Sequence, residues 1–194
     1  MKSICVYCGA NFDGNTELLE HIQNLAKELV DAQITLIYGG GRVGIMGEIA
    51  NATLNLGGKV VGVIPSFLMD KEVGHTGLTE LIITDNMHQR KQKMADLSDG
   101  FLILPGGFGT MEEFFEVLTW LQLGLHNKPI GVLNFNSFYD PLFQQLDNMI
   151  QFGFLKARNR DLVLSETNPR KLIMAMQNFN IKPDDKWFTE RNLI

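Results

Sequence analysis

Short runs of β-branched and other apolar residues alternate with stretches of helical periodicity from one end of the chain to the other. Few architectures accept that order. The strand candidates are residues 4–7, 34–38, 59–64, 81–84, 101–104, 130–133 and 162–164. Between the first two, Leu18, Ile22, Leu25 and Leu29 recur at helical spacing, Leu19, Ala26 and Val30 widen the stripe, and Asn15 stands where a cap belongs. Further helices are predicted over 45–56, 88–97, 111–123, 141–152 and 169–177. Phe101-Leu102-Ile103-Leu104 is apolar at every position, the pattern of a parallel strand covered on both faces. The expected fold is α/β, a single-domain doubly wound parallel sheet of about seven strands with helices on both faces. A length of 194 residues suits one domain, and 45% apolar residues suffice for a real core. From Lys182 onward the chain is polar except for Trp187, Phe188 and the final Leu193-Ile194, and it reads as a tail.

Charge narrows the partners. Seventeen Lys and Arg against 22 Asp and Glu leave a net charge of −5, which argues against a nucleic-acid polymer or an anionic membrane surface. No apolar run approaches the roughly 18 to 20 residues of a membrane span. The opening Met1-Lys2-Ser3-Ile4-Cys5-Val6-Tyr7 has too short an apolar stretch for a signal peptide and no small-residue cleavage site. The expectation is a cytoplasmic protein. Cys5-Val6-Tyr7-Cys8 has redox spacing, but on a strand that separation puts the thiols on opposite faces, so they read as buried thiols. No His, Cys, Asp or Glu cluster has metal-ligand spacing, and neither a metal nor a cofactor is expected.

In doubly wound sheets ligands bind outside the carboxyl ends of the strands, so the chemistry belongs in the loops that follow them. Three such loops stand out. Tyr38-Gly39-Gly40-Gly41-Arg42-Val43-Gly44 matches the G-x-G-x-x-G dinucleotide fingerprint, but the next strand ends Val63-Ile64-Pro65-Ser66 without the ribose-binding carboxylate. The loop can present amides to an anion, with Gly40 and Gly41 as candidates, or be a tight turn with close packing. Pro105-Gly106-Gly107-Phe108-Gly109-Thr110-Met111-Glu112-Glu113 again places glycines before a helix and presents a second set of amides to a phosphate. Its Thr110-x-x-Glu113 is equally the pattern of a capping box with no catalytic duty. Asp85-Asn86-Met87-His88-Gln89-Arg90-Lys91-Gln92-Lys93 carries a basic cluster in an acidic protein, which is either a solvated helix face or part of a site.

Taken together, the glycine loop at 38–47, Met87-His88-Gln89-Arg90-Lys91, and Pro-Gly-Gly-x-Gly-Thr-x-x-Glu placing Glu113 23 positions after Arg90 closely resemble the LOG family. These are the cytokinin riboside 5′-monophosphate phosphoribohydrolases, whose relatives have often carried a lysine decarboxylase label. The resemblance runs over nearly the whole chain. Where family members often have Ser after the Cys-Gly of the first strand, this chain has Ala10 and offers no hydroxyl there. The resemblance implies a Rossmann-like nucleotide-binding catalytic domain over 1–180 with a tail at 181–194, acting at least as a homodimer. It implies cleavage of the N-glycosidic bond of a nucleoside 5′-monophosphate, AMP or a cytokinin riboside monophosphate, to free base and ribose 5-phosphate. Glu113 and Arg90 would be the catalytic residues. Glu113 would face the oxocarbenium ion, orient water, or attack C1′. Glu72, Lys91, Gly107, Phe108, Gly109, Thr110, Met111, Glu112 and Thr119 would lie in the substrate site. Residues 67–69 and Met87 are expected near the base.

The helix after the glycine loop at 105–109 is apolar on most sides, with Phe114, Phe115, Val117, Leu118, Trp120, Leu121 and Leu123, which points to a subunit interface or to a wide core-facing stripe. Two other functions fit the fold. A nucleotide-binding or carrier module would keep the glycine loops without turnover, and an NAD-dependent oxidoreductase would need the missing ribose carboxylate.

Overall fold

A strand covered on both faces must be apolar throughout, and Phe101–Ile103 (β5) buries all its side chains. The computed structural model describes residues 1–69 and 74–180. In it β5 lies in a seven-stranded sheet with Ser3–Tyr7 (β1), Thr35–Tyr38 (β2), Val60–Pro65 (β3), Glu80–Thr84 (β4), Ile130–Leu133 (β6) and Val163–Glu166 (β7). The order is β4-β3-β2-β1-β5-β6-β7, and every pair is parallel. The chain therefore steps outward from β1 to β4, returns to lay β5 beside β1, and steps outward again. That reversal opens a crevice above the carboxyl ends of β1 and β5.

Two apolar layers cover the sheet. On one face Leu18, Ile22, Leu25 and Leu29 of Thr16–Asp31 (α1) pack with Ile45 and Ile49 of Gly44–Asn55 (α2) and Leu172, Ile173 and Met176 of Pro169–Gln177 (α8). On the other, Met94 and Ala95 of Met87–Asp96 (α4) join Phe114, Val117 and Leu121 of the helix running Phe108–Gln122. Asn15 caps α1, its side chain accepting from the Leu18 amide at 2.9 Å. Cys5 and Cys8 fall in opposite layers as free, buried thiols.

Short elements complete the connections. Ser66–Met69 (α3) follows β3, and the long helix Phe108–Gln122 is α5. Asp140–Gln151 (α6) and Ala157–Arg160 (α7) lie between β6 and β7. The expected strands and long helices all form, within a few residues of their expected ends; α3, α7 and a 3-10 turn at Phe135–Ser137 are additions. These are too short to show a period. The tail at 181–194 lies outside the described residues, and no described helix is long and apolar enough to cross a membrane.

Candidate active site

The glycines after β5 divide into two kinds. A Cβ on Gly106 would come within 2.1 Å of Thr110 Oγ1, so that glycine is needed for packing. Gly107 and Gly109 have nothing within 4 Å of such a Cβ. Neither carries the positive φ that would require glycine, and both border an open cleft of about 910 Å³. Gly107 is the N-cap of α5 and supplies no side-chain cap. The first intrahelical amide bond is Met111 to the Gly107 carbonyl at 3.1 Å, so the amides of the opening turn have no partner within the helix. An uncapped first turn beside glycines that leave room for an approaching group suits an anion. The capping-box reading of this loop is overturned. Thr110 is the third residue inside α5 rather than its cap, and Glu113 turns to Arg90.

Arg90 comes to Glu113 from α4. Its Nη1 donates to Glu113 Oε1 at 3.2 Å and its Nε to the Val63 carbonyl at 3.2 Å, and both side chains are buried at the edge of the cleft. Gly39 makes room for it: a Cβ there would lie 2.1 Å from Arg90 Nη2. Burial pushes the Glu113 carboxyl up to about 7, against the pull of Arg90; Glu112 and Glu116 push the same way as burial, and Lys91 pulls it down. The result is a carboxyl group held in register by a fixed guanidinium, poised near neutrality, a few residues from the uncapped start of α5. Such a pair can stabilise a cation that develops beside it. Among the described residues no group of His, Cys, Asp and Glu could hold a metal ion.

Known proteins are similar to this chain over most of its length. The profile of the family described as "Possible lysine decarboxylase" matches residues 46–176. A cytokinin riboside 5′-monophosphate phosphoribohydrolase of Rhodococcoides fascians is 48% identical, over 84% of this chain and 83% of its own. The enzyme of that name from Oryza sativa subsp. japonica called LOG is 40% identical over 92% of this chain and 74% of its own. The chain belongs to the LOG family. The molybdenum cofactor carrier protein of Chlamydomonas reinhardtii shares the fold with a TM-score of 0.65, at 22% identity over 91% of this chain and 96% of that one, and that likeness shows the fold alone.

The residues that the LOG motifs single out do not all meet in one place. Arg90, Glu113, Gly107, Phe108, Gly109, Thr110 and Glu112 line the cleft. Gly40 and Gly41 are not among its described lining. Gly40 has φ +78° and passes its carbonyl to the His75 amide at 2.9 Å, and Gly41 pairs with Gly74. The first glycine loop is thus a packed turn, reaching the cleft only through Ile45 and Met46 of α2. The basic cluster is no solvated face at Arg90 and Lys91, which are buried, although Lys93 is exposed. Lys91 is occupied by Glu112 and Glu116. Met111 and Thr119 border a shallow groove on the outer side of α5 with Phe115 and Trp120. His88 faces a separate groove between α4 and β4. Glu72 lies outside the described residues. Leu68 and Met87 line the cleft, whereas Phe67 is exposed outside its described lining and Met69 packs over Gly74.

Apart from Ala10, which the family pattern marks, two contributors escape the motifs. The loop after β1, with Ala10, Asn11, Phe12 and Asp13, forms one wall, and Phe138 forms part of another. The first could have been found from topology, because it leaves the strand beside β5. Phe138 follows Asn136 and Ser137, both with positive φ; Asn tolerates that conformation and marks a turn, but it does not tell where the next side chain goes.

Proposed function

We propose that the chain hydrolyses the N-glycosidic bond of nucleoside 5′-monophosphates, AMP and/or cytokinin riboside 5′-monophosphates, releasing the base and ribose 5-phosphate. The observation that carries this reading is the buried Arg90–Glu113 pair, joined at 3.2 Å in the same cleft as the uncapped start of α5. The 5′-phosphate takes the amides of Gly107, Gly109 and Thr110, where the helix dipole favours negative charge. As the bond from C1′ to the base lengthens, the ribose gains positive charge, and the fixed Glu113 carboxylate is stronger against that cation than against the neutral ground state. Arg90 holds the carboxylate in place and favours its charged form. Phosphate binding remote from the broken bond can be used to lower the barrier at C1′.

The test is incubation of the pure protein with AMP, N6-isopentenyl-AMP and adenosine, followed by chromatography. Free base and ribose 5-phosphate appear from the two monophosphates, and adenosine reacts far more slowly in kcat/KM. Tight nucleotide binding with no base released would instead make the chain a carrier. The same reading makes the enzyme a cytoplasmic homodimer. Its thiols are free and buried, and α5 leaves Phe115 and Trp120 only half-buried around the outer groove, with Leu123 exposed beyond. Sedimentation equilibrium at twice the monomer mass supports the dimer, and monomer mass overturns it.

A further inference from the structure

Arg90 and Lys91 are neighbours on α4, yet their cations go to different places. Arg90 reaches Glu113 in the cleft, whereas Lys91 Nζ turns outward to α5, 2.6 Å from Glu112 Oε1 and 2.8 Å from Glu116 Oε1. With both contacts made and 8% of the residue exposed, Lys91 has one N–H to spare and almost no surface to offer a ligand. Its two partners flank Glu113 about one helical turn apart, where like charges repel. Among the described residues, the groups that act on Glu113 are Arg90 and Lys91 from α4, Glu112 and Glu116 on its own helix, and Cys5, Tyr7 and Cys8 from β1 and its end. Burial keeps the thiols and the phenol neutral, so the adjustable charges are those of the Lys91 cluster.

We propose that Lys91 acts through Glu113 rather than on the substrate: by closing ion pairs with Glu112 and Glu116 it offsets the two carboxylates beside Glu113 and so sets the charge that Glu113 carries at neutral pH. Lys91 is then a positioning residue, and this role rests on the reading of Glu113 as the catalytic carboxylate. One net negative charge remains in the cluster with Lys91 present, and two without it.

Glutamate labelled with carbon-13 at the side-chain carboxyl reports the titration of Glu113 directly, its resonance being the one missing from Glu113→Gln. Lys91→Met raises the midpoint by about one pH unit, a tenfold shift in the proton equilibrium. Glu116→Gln, with Lys91 intact, lowers it. The double variant Lys91→Met/Glu116→Gln has the wild-type charge sum and returns the midpoint most of the way, and Lys91→Arg keeps it near wild type. The acid limb of kcat/KM for AMP moves with each midpoint, while KM on the alkaline side stays close to wild type. An unmoved titration in Lys91→Met, with KM raised at every pH, overturns the proposal and makes Lys91 a substrate ligand. Should Lys91→Met fail to fold, a Glu116→Gln midpoint that does not fall overturns it alone. Glu113→Gln with wild-type turnover defeats the catalytic reading instead, and the shifted resonances of the other variants distinguish that failure from this one.

Discussion

Glu113 is exposed to two opposing demands, and a single substitution separates them. Glu113→Gln keeps the size and an oxygen for Arg90 but removes the charge, so turnover of AMP should fall by roughly 10² or more on the scale of lost electrostatic stabilisation. The melting temperature should not fall, because burial already opposes the charged form. The pH dependence follows with a definite sign. The folded carboxyl is raised from an ordinary 4.5 to about 7, so it contributes its full stability below about pH 4.5 and loses it as pH rises through about 7. Denaturant titrations near pH 5 and near pH 8 should therefore show Glu113→Gln gaining on the wild type at the higher pH, by on the order of 3 kcal/mol. Activity should run the other way, with kcat/KM rising through about pH 7 as the carboxylate forms. Gly109 offers a complementary measurement. Its empty surroundings accept a methyl group, and alanine is the better helix former by up to about 1 kcal/mol. Gly109→Ala should keep or raise the melting temperature while raising KM for AMP several-fold. An unchanged KM would remove the phosphate from that turn.

At the level of elements, the two longest helices are started in opposite ways. α1 has a side-chain cap in Asn15, and Asn15→Ala should lower unfolding free energy by about 1 kcal/mol without touching kcat. α5 has none, and its bare first turn faces the cleft. The sequence made the wrong one of these ambiguous. Thr110-x-x-Glu113 has capping-box spacing, but the chain enters the helix earlier, at Gly107, and Thr110 packs back against Gly106. Spacing that fits a motif does not fix how its residues are used. The same holds for Gly40 and Gly41, whose fingerprint spacing is real but whose partners, His75 and Gly74, lie far along the chain. Arg90 and Glu113 were legible because the family motif carries both in register; the direction of the Lys91 side chain was not.

For the molecule as a whole, periodicity was enough to give the strands and the sheet class, since seven apolar runs separated by helical stripes leave little choice. Phe138 was out of reach, because it depends on β6 lying beside β5 and on a turn with two positive-φ residues. The sheet order also has a bearing on how the chain assembles. β1 through β4 are synthesised as one neighbouring set that already holds Arg90's backbone support at Val63, but until β5 arrives β1 has an open edge. Cys5 must find Phe101, a pairing distant in sequence and therefore slow to close. Only then does α5 bring Glu113 to a guanidinium that has been waiting without its carboxylate. A nascent chain halted before β5 would expose an apolar strand edge of the kind that recruits other chains. In refolding, hydrolysis of AMP should return with the insertion of β5, behind the recovery of the helical signal, so that activity reports the joining of β5 to β1.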